Sequence, residues 1–319
     1  MEQEVLTFDC QTPYFKSYQR TIFTKIANKI QPDYFFKPIN QALLSYIKEK
    51  EGIDVILVFR GLQLFPSTIE TLKQKCSLLV NYNPDHPLTF FSEGSGNHHI
   101  TNSIPLYDVH VSYSQSIVQK IKQQYQLPAF QIPFGFDDNL IKQKARNNYT
   151  ADFVFIGAYD SKRANILNQI KVDNFKIFGN TAWKKRTFFK KNIPQFYQGH
   201  GIYNAAYTTA IKTAKGTINL LRKQNLIENA HNMRTFEVPG FGGLLISQRT
   251  EEQESLFEDE KEAVFWSSIN ELNDKLIFLN KHPAIIKNIK KAAFTRSQKG
   301  QYAYQYLSLI HISEPTRPY

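Results

Sequence analysis

The segment HNMRTFEVPGFGGLLIS, residues 231–247, combines one arginine and one glutamate, three positions apart, with a proline and three glycines. Apolar, strand-like runs lie on both sides of it. A short helix that follows a strand exposes backbone N–H groups, which together with the helix dipole favour an anion such as a diphosphate. We expect Asn232 to be the N-cap of this helix. Arg234 can then neutralise phosphate charge, and Glu237 can accept hydrogen bonds from vicinal hydroxyls, as on a ribose.

The end of the same segment controls the shape of the backbone. Pro239 and Gly240 keep the helix short, and Gly242 and Gly243 let the chain turn tightly into the next strand. We also place Gly240, with Asn232, Arg234 and Glu237, among the residues that bind the ligand. A surface Arg–Glu pair followed by a glycine turn explains the same residues without any ligand, so both interpretations stay open on the residues alone. His231, directly before the segment's polar residues, either contacts the diphosphate or is a buried, hydrogen-bonded histidine.

A second candidate site lies in the first half of the chain, where the run CSLLVNYNPDHP (76–87) ends in a polar loop. In open α/β sheets, ligands bind beyond the carboxyl ends of the strands. Asp85 and His86 are therefore candidates for a base that removes a proton from a hydroxyl group, and histidine titrates near neutrality. The alternative is that this pair caps the turn before Pro87. Arg60, at the end of an earlier apolar run, is a comparable candidate for phosphate contact.

The sequence predicts no metal site and no tightly bound cofactor. Walker A, HExxH, CxxC and GxSxG motifs are absent, and EGSGN at 93–97 lacks the third glycine of a dinucleotide-binding fingerprint. No Asp-x-Asp pair follows a strand in the second half. The adjacent His98 and His99 could hold a metal, but no carboxylate or cysteine cluster lies near them in the sequence, which favours a solvated loop.

Composition favours a cytoplasmic protein with an anionic partner. The chain has 319 residues, 42% of them hydrophobic, and its two cysteines, Cys10 and Cys76, exclude a disulfide framework and suit a reducing compartment. No apolar run approaches the ~18 residues of a membrane span. The net charge of +11 favours a nucleotide, a phosphate or an anionic membrane surface. Nucleic acid is not expected, because no nucleic-acid-binding motif accompanies the charge, which only short runs such as WKKRTFFKK (183–191) concentrate.

Strands alternate with helices along the chain, so we predict an α/β fold with parallel sheets in two Rossmann-like domains. In the first half, the predicted strands lie near residues 53–61, 76–87, 107–114 and 129–137. The pattern restarts after a polar linker at 138–151. There, the predicted strands lie at the start of 151–170 and near 175–180, 216–221, 243–249 and 263–268. The predicted domains are residues 1–140 and 141–306.

The ordered motifs resemble those of GT-B glycosyltransferases, in particular the CgeB-type, spore-maturation-protein-like subgroup of the glycosyl transferase 1 superfamily. The resemblance covers nearly all of residues 53–290. It rests on MRTFEVPGFGGLLIS, on the downstream FEDEKEAVFWSSINELNDKL, and on upstream motifs in the family order: DVILVFRG, LLVNYNPDHP, YDVHVSYSQSIVQ, IPFGFD and ADFVFIGAYDSKR. It implies that a sugar is transferred from a nucleotide-activated donor, held by the second domain, to an acceptor held by the first, without a metal.

The resemblance also implies roles for residues of the second domain. Glu237 matches the family glutamate at the donor ribose, and Arg234 matches the arginine that precedes it. Gly157 closes the first strand of this domain, where such enzymes bring the backbone close to the donor. Lys162 and Arg163 follow and are placed to offset diphosphate charge, although a solvated helix face is the alternative.

The two ends of the chain have separate interpretations. LSLIHISEPTR, Leu307–Arg317, resembles the translation of a sequencing adapter, so we treat residues 307–319 as a non-native tail and expect truncation at the C-terminus. The start, MEQEVLTFDC, resembles the end of a second strand in nucleotide-sugar enzymes. We therefore expect a first strand and helix to be missing before Met1, unless Met1 begins a shorter fold.

We thus predict a metal-independent glycosyltransferase of the hexosyl type. Its partners would be a nucleotide-diphosphate sugar and a glycan, lipid-linked or protein acceptor, with peripheral contact at the inner face of a membrane. Many relatives that retain the configuration of the transferred sugar have a second glutamate eight residues before the one at the ribose. This sequence has Asn229 at that position, so it does not support a retaining reaction. The alternatives are an inactive sugar-nucleotide-binding homologue, an envelope or spore assembly factor, and a phosphorylase or epimerase on the same fold.

Overall fold

The computed structural model describes residues 4–90, 95–143 and 151–306, so the predicted non-native tail lies outside the described residues. The chain divides into two compact units, with the boundary between Pro133 and Phe134. The sequence places this boundary later, at 140/141. Residues after Pro133 join the second unit because Phe136 is buried in its core and exchanges backbone hydrogen bonds with Tyr302 and Tyr304, at 3.2 and 3.0 Å.

The first unit is built on one parallel sheet with the strand order β1-β2-β3-β4. Its helices are α1 (Gln11–Tyr18), α2 (Ile22–Ile30), α3 (Asp33–Lys48), α4 (Pro66–Lys73), α5 (His98–Ser103) and α6 (Gln115–Tyr125). Its strands are β1 (Ile53–Phe59), β2 (Cys76–Asn83), β3 (Val109–Ser112) and β4 (Ala129–Gln131). A 3-10 turn, Ile104–Leu106, precedes β3. The core lies between α3, α4 and one face of the sheet, where Leu43, Leu72 and Leu79 meet.

Two expectations for the first unit differ from the structure. Residues 4–10 contain no strand, because the Asp9 carboxylate accepts the N–H groups of Gln11 and Thr12, at 2.8 and 3.1 Å, and a helix begins at Gln11. The strand predicted near 129–137 ends at Gln131. Pro133, which follows, has no N–H for a sheet hydrogen bond.

The second unit is built on a parallel sheet with the strand order β6-β5-β7-β8-β9. Its strands are β5 (Phe153–Ile156), β6 (Phe175–Phe178), β7 (Gly216–Asn219), β8 (Leu245–Gln248) and β9 (Val264–Trp266). Its helices are α7 (Ser161–Leu167), α8 (Ala182–Arg186), α9 (Ile193–Phe196), α10 (Asn204–Thr213), α11 (Lys223–Ile227), α12 (Met233–Gly240), α13 (Glu251–Leu256), α14 (Ile269–Lys281) and α15 (Pro283–Lys299).

Both faces of the second sheet are covered. Every residue of β5 and β7 is buried, as expected for the central strands of a parallel sheet. One hydrophobic cluster joins the sheet to α7, α14 and α15, and another joins it to α10 and α12. The carboxyl ends of these central strands therefore open into the loops that carry most of the predicted site residues. None of the described helices is long and apolar enough to span a membrane.

Candidate functional site

The start of α12 is tied to the end of β7. Asn232 is the N-cap, with extended backbone, and its N–H donates to Thr235 Oγ1 at 3.3 Å. Its side-chain amide pairs with that of Asn219, the last residue of β7, through two hydrogen bonds of 2.9 and 3.1 Å. The N-cap expected at Asn232 is thus present, and the helix ends at Gly240, as Pro239 and Gly240 predict. The helix start is fixed directly beyond the strand.

Glu237 lies one turn into α12 and is partly buried. The hydroxyl of Tyr207, from α10, donates to Glu237 Oε2 at 2.6 Å. Burial raises the pKa of Glu237, although the Tyr207 hydroxyl and the charge of Arg234 act in the opposite direction. Burial also raises the pKa of Tyr207 well above its ordinary value. The tyrosine therefore stays a neutral donor, and it fixes the carboxylate in one orientation.

A cationic cluster lies beside this pair. Arg163 is 7% exposed and donates from Nη2 to the Leu220 carbonyl at 2.7 Å. Burial, together with the positive charges of Arg234 and Arg222, lowers the pKa of Arg163 to about 10. The Nε atoms of Arg163 and Arg234 are buried without a hydrogen-bond partner. In the described part of the chain, no carboxylate lies within ion-pair distance of either guanidinium. Arg163 is buried and Arg234 is half-buried, and an arginine pair of this kind without a carboxylate in ion-pair contact favours an anionic ligand.

Gly157 brings backbone to the same place. It follows β5, its N–H donates to the Phe178 carbonyl at 2.8 Å, and its carbonyl accepts from Trp183 Nε1 at 2.9 Å. A β-carbon at Gly157 would lie 3.7 Å from Arg234 Nη2 and 3.0 Å from Phe155 Cζ. Gly157, Arg163, Arg234 and Glu237 therefore belong to one site. A side chain at position 157 would crowd the space in front of the guanidinium.

Lys162 takes a different position from Arg163. Its side chain is exposed, whereas that of Arg163 is buried. The carboxylate of Asp160, the N-cap of α7, accepts the N–H groups of both residues, at 2.9 and 3.2 Å. Of the two interpretations given for this pair, the solvated helix face describes Lys162. It does not describe Arg163, whose side chain is buried.

His231 has an internal partner at each ring nitrogen. It is fully buried; Nδ1 lies 2.9 Å from Glu252 Oε2, and Nε2 accepts the Phe134 N–H at 3.2 Å. This pattern assigns the proton to Nδ1, which donates to the carboxylate. The structure thus presents the buried, hydrogen-bonded histidine rather than a diphosphate contact, since both nitrogens already have partners within the protein.

Gly240 also has a packing role. A β-carbon there would lie 2.5 Å from Phe136 Cδ1, and φ at Gly240 is not in the left-handed region. The absence of a side chain lets α12 pack closely against Phe136. Gly240 was expected to be one of the ligand-binding residues. In the structure, its contact is with the core of the second unit.

Asp85 and His86 belong to the first unit, in the loop after β2. Asp85 Oδ2 pairs with Arg60 Nη2 at 3.0 Å, and both side chains are about one-fifth exposed. His86 is buried, and its Nδ1 accepts the N–H groups of Leu88 and Thr89 at 3.2 and 2.9 Å. The ring thus caps the turn, as the structural alternative predicts. The accessible carboxylate of Asp85 is the better placed of the two for proton transfer.

The environment of the two adjacent histidines corrects one expectation. His99 is buried, and its Nε2 lies 2.7 Å from Asp33 Oδ1, a carboxylate 66 residues earlier in the chain. With His98, these side chains place three possible ligand atoms within 4.8 Å of one another. His98 is thus exposed, as expected, whereas His99 is buried beside a carboxylate, which was not expected. The Asp33–His99 hydrogen bond by itself accounts for the contact.

Sequence reasoning missed several members of the second unit's site. Tyr207 lies on α10, 30 residues before Glu237, and no local motif connects the two. Arg222, whose positive charge acts on Arg163, is the N-cap residue of α11. The role of Asp160 as the N-cap of α7 could have been predicted, because an aspartate before a helical run is a strong N-cap signal.

Residues 162–307 match a family model described as glycosyl transferase-like. The chain is similar in fold to sucrose-phosphate synthase from Thermosynechococcus elongatus, with a TM-score of 0.65 and 12% identity over 87% of this chain and 76% of that one. It is also similar to HepE from Anabaena in complex with UDP, with a TM-score of 0.56 and 12% identity over 87% and 81% of the two chains.

A third similar structure is that of S. aureus MnaA with UDP, with a TM-score of 0.54 and 10% identity over 97% and 95% of the two chains. HepE has also been solved with UDP and glucose. No curated protein sequence matches the chain. The chain therefore has the GT-B fold, with two Rossmann-like units.

Proposed function

We propose that this protein is a glycosyltransferase that uses a nucleotide-diphosphate sugar as donor. The observation that carries the proposal is the pair of buried Arg163 and half-buried Arg234, whose Nε atoms are buried without a hydrogen-bond partner, beside the Tyr207–Glu237 hydrogen bond. The family match covers this part of the chain. Similar folds bind UDP in HepE and MnaA. A site with fixed positive charge next to an oriented carboxylate suits a ligand with a diphosphate on one side and vicinal hydroxyls on the other.

Each residue of the site has a role in this proposal. Arg163 and Arg234 neutralise the diphosphate, as guanidinium groups do well through paired N–H donors. The N–H groups at the start of α12 add to the positive potential. Glu237, held by Tyr207, accepts hydrogen bonds from the ribose hydroxyls. Gly157 leaves room for the donor. The positive side chains supply the charge that a bridging metal would otherwise supply, so we propose a metal-independent reaction.

On the acceptor side, Asp85 is the candidate base. Its carboxylate is partly accessible, and the ion pair with Arg60 fixes its position. It would remove the proton from the acceptor hydroxyl as the bond to the donor sugar forms and the nucleoside diphosphate leaves. His86 would act through the loop it caps. We propose a hexosyl donor and a glycan, lipid-linked or protein acceptor, with placement in the CgeB-type subgroup.

We further propose a cytoplasmic location with contact at the inner face of a membrane. The net charge of +11 supports contact with an anionic surface. A second candidate function is a sugar-nucleotide-binding homologue without activity, or an assembly factor. The hydrogen bond of His86 to its own turn favours this candidate, because it removes one of the two predicted catalytic groups.

A nucleotide-binding experiment tests the donor site. A panel of nucleoside diphosphates and their sugars would be titrated calorimetrically into the full chain, the Glu237→Ala variant and Glu258→Ala, an exposed control. We expect one nucleotide to bind, with affinity lowered by about 1–3 kcal/mol only in Glu237→Ala. Equal affinity in all three proteins would refute the site. Binding without transfer to any acceptor would favour the inactive homologue.

A further inference from the structure

A turn between α8 and α9 exposes two adjacent phenylalanines. Phe188 is 75% exposed and Phe189 is 97% exposed. The Lys190 N–H donates to the Thr187 carbonyl at 2.9 Å, which closes a β-turn with both phenylalanines at its tip. Isolated apolar side chains are common on protein surfaces, but two whole aromatic rings at one turn tip make a concentrated apolar patch.

The base of this turn is anchored in the core. Trp183 is fully buried, and its Nε1 donates to the Gly157 carbonyl at 2.9 Å. The Thr187 hydroxyl donates to the Trp183 carbonyl, and Ile193 is fully buried on the other side of the turn. Because buried residues anchor the chain on both sides of the turn, the backbone that carries the two rings is held at the surface.

The tip is surrounded by cations. The segment 183–191, which contains the turn, has these basic residues: Lys184, Lys185, Arg186, Lys190 and Lys191. No aspartate or glutamate occurs in the sequence between Asp173 and Glu228. Arg186 packs over the Tyr159 ring at 5.6 Å, and Lys190 Nζ donates to Asn165 Oδ1 at 2.6 Å, which holds these stems against the base. Apolar side chains at a tip with lysine and arginine around them match the interfacial region of an anionic bilayer.

We propose that the turn at residues 187–190 docks the protein on an anionic lipid bilayer. Phe188 and Phe189 enter the headgroup–acyl boundary, and the surrounding lysines and arginine contact the lipid phosphates. The inference identifies a surface for the membrane contact proposed above and does not depend on sugar transfer. The two rings meet edge to face, at 5.2 Å and 81°, so together they do not form one parallel platform for successive nucleic-acid bases.

The anchor of this turn connects it to the candidate donor site. Trp183 bonds to Gly157, and Gly157 lies beside Arg234. Docking at the turn would thus bring the cationic site close to the bilayer surface. This arrangement suits an acceptor that is itself embedded in the bilayer, such as a lipid-linked sugar.

Fluorescence of a Phe189→Trp variant tests insertion at the tip directly, because the native Trp183 and Trp266 are both buried. Vesicles of phosphatidylcholine, with and without phosphatidylglycerol, would be titrated into the full chain. We expect a blue shift and quenching by spin-labelled lipids only with the anionic vesicles. In flotation assays, Phe188→Ser with Phe189→Ser should lower the partition coefficient about tenfold or more. Lys184→Glu with Lys185→Glu should lower it at low salt, where surface charge acts most strongly.

Matched controls separate these effects from general changes of surface. Phe278→Ser removes an exposed ring from α14, and Lys287→Glu with Lys291→Glu changes the charge of α15 equally; both should leave the partition unchanged. Nucleotide affinity should also be unchanged in the turn variants, which distinguishes loss of docking from loss of the donor site. An unshifted spectrum, or equal flotation of the wild type and the phenylalanine variant, would overturn the proposal. So would binding to a single-stranded oligonucleotide, or self-association through the turn, without vesicle binding.

Discussion

The hydroxyl of Tyr207 lies 2.6 Å from Oε2 of Glu237 and joins α10 to α12 across the candidate donor site. The tyrosine has no proton to lose near neutrality, because burial raises its pKa well above the ordinary value. It can therefore only donate to the carboxylate. Glu237 is left with one oxygen atom directed by the protein and the other available to a ligand.

Replacement of Tyr207 by phenylalanine tests this relationship. The ring is kept and the hydrogen bond is lost, so Glu237 should sample other orientations. We expect the dissociation constant for the preferred nucleotide to rise about fivefold, equivalent to about 1 kcal/mol. Calorimetric titration of wild type and Tyr207→Phe measures this. Tyr203→Phe, on the exposed residue before α10, is the matched control; an equal effect in both variants would argue against an orienting role.

Replacement of Glu237 by glutamine should separate binding from stability. Burial raises the pKa of Glu237, so the folded state binds its proton more tightly than the unfolded state does. The stability that comes from the protonated form is complete below the unfolded-state pKa and is lost as pH rises through the folded-state pKa. Glutamine mimics the protonated form. We therefore expect Glu237→Gln to match wild type in acid and to be more stable at neutral pH.

The same variant should bind nucleotide more weakly. If the amide oxygen accepts from Tyr207, the amide nitrogen takes the place of the second carboxylate oxygen, and it cannot accept a hydrogen bond from a ribose hydroxyl. Urea unfolding below and above the ordinary carboxyl range of about pH 4–5 measures the first effect. Glu258→Gln, on an exposed surface pair, should show no such pH dependence. A Glu237→Gln protein that is less stable than wild type at neutral pH would show that the carboxylate is favourable in the absence of ligand.

The arginine cluster predicts stabilisation by anions. Arg163 and Arg234 have buried Nε atoms without partners, so a diphosphate that pairs with them should bind the folded state alone. At about 100 times its dissociation constant, such a ligand adds about 2.7 kcal/mol to the free energy of unfolding. Inorganic pyrophosphate is the simplest probe. We expect it to raise the Tm of wild type and of Arg20→Gln, an exposed control, and to raise that of Arg234→Gln much less. Equal shifts in all three would place the anion elsewhere.

The helix at 233–240 was predictable because its signals are local. An N-cap side chain at Asn232, the 231–247 motif and a proline and glycine at its end all act within a few residues of one another. The parallel strands were predictable for the same reason, since β-branched and aromatic runs mark them. The ends of β3 and β4 were less so, because a 3-10 turn before Val109 and Pro133 after Gln131 shorten runs that look continuous.

The side-chain partners were not predictable because they come from distant parts of the chain. Tyr207 reaches Glu237 only after α10 and α12 pack on the same face of the sheet. His99 meets Asp33 only after α5 and α3 come together. The chemistry of a histidine also depends on such partners. The sequence does not distinguish the protonation of His86 from that of His231. In the structure, backbone N–H groups donate to Nδ1 of His86 and to Nε2 of His231, and these contacts determine which ring nitrogen carries the proton.

His231 should therefore behave as a structural residue. Replacement by phenylalanine keeps an aromatic ring beside Phe134 and Phe236, and the backbone N–H of residue 231 can still donate to Glu252, but the ring's hydrogen bonds to the Glu252 carboxylate and the Phe134 N–H are lost. We expect the free energy of unfolding to fall by about 1–3 kcal/mol. The nucleotide affinity of the folded protein should stay unchanged. Chemical denaturation and calorimetry on the same samples measure both, and a large loss of affinity at full stability would restore His231 to the ligand site.

Asp85 offers the sharpest test of the chemistry. If it removes the acceptor proton, Asp85→Asn should lower kcat by about 10²- to 10⁴-fold, because asparagine keeps the size of the side chain but cannot take up a proton. The nucleotide affinity should not change, since the donor residues all belong to the second unit. Arg60→Gln is the companion variant: it breaks the 3.0 Å ion pair that fixes the position of the carboxylate but leaves the carboxylate present, so it should lower kcat less than Asp85→Asn does. Full transfer activity in Asp85→Asn would remove this residue from the mechanism and require a base from elsewhere in the chain or from the acceptor itself.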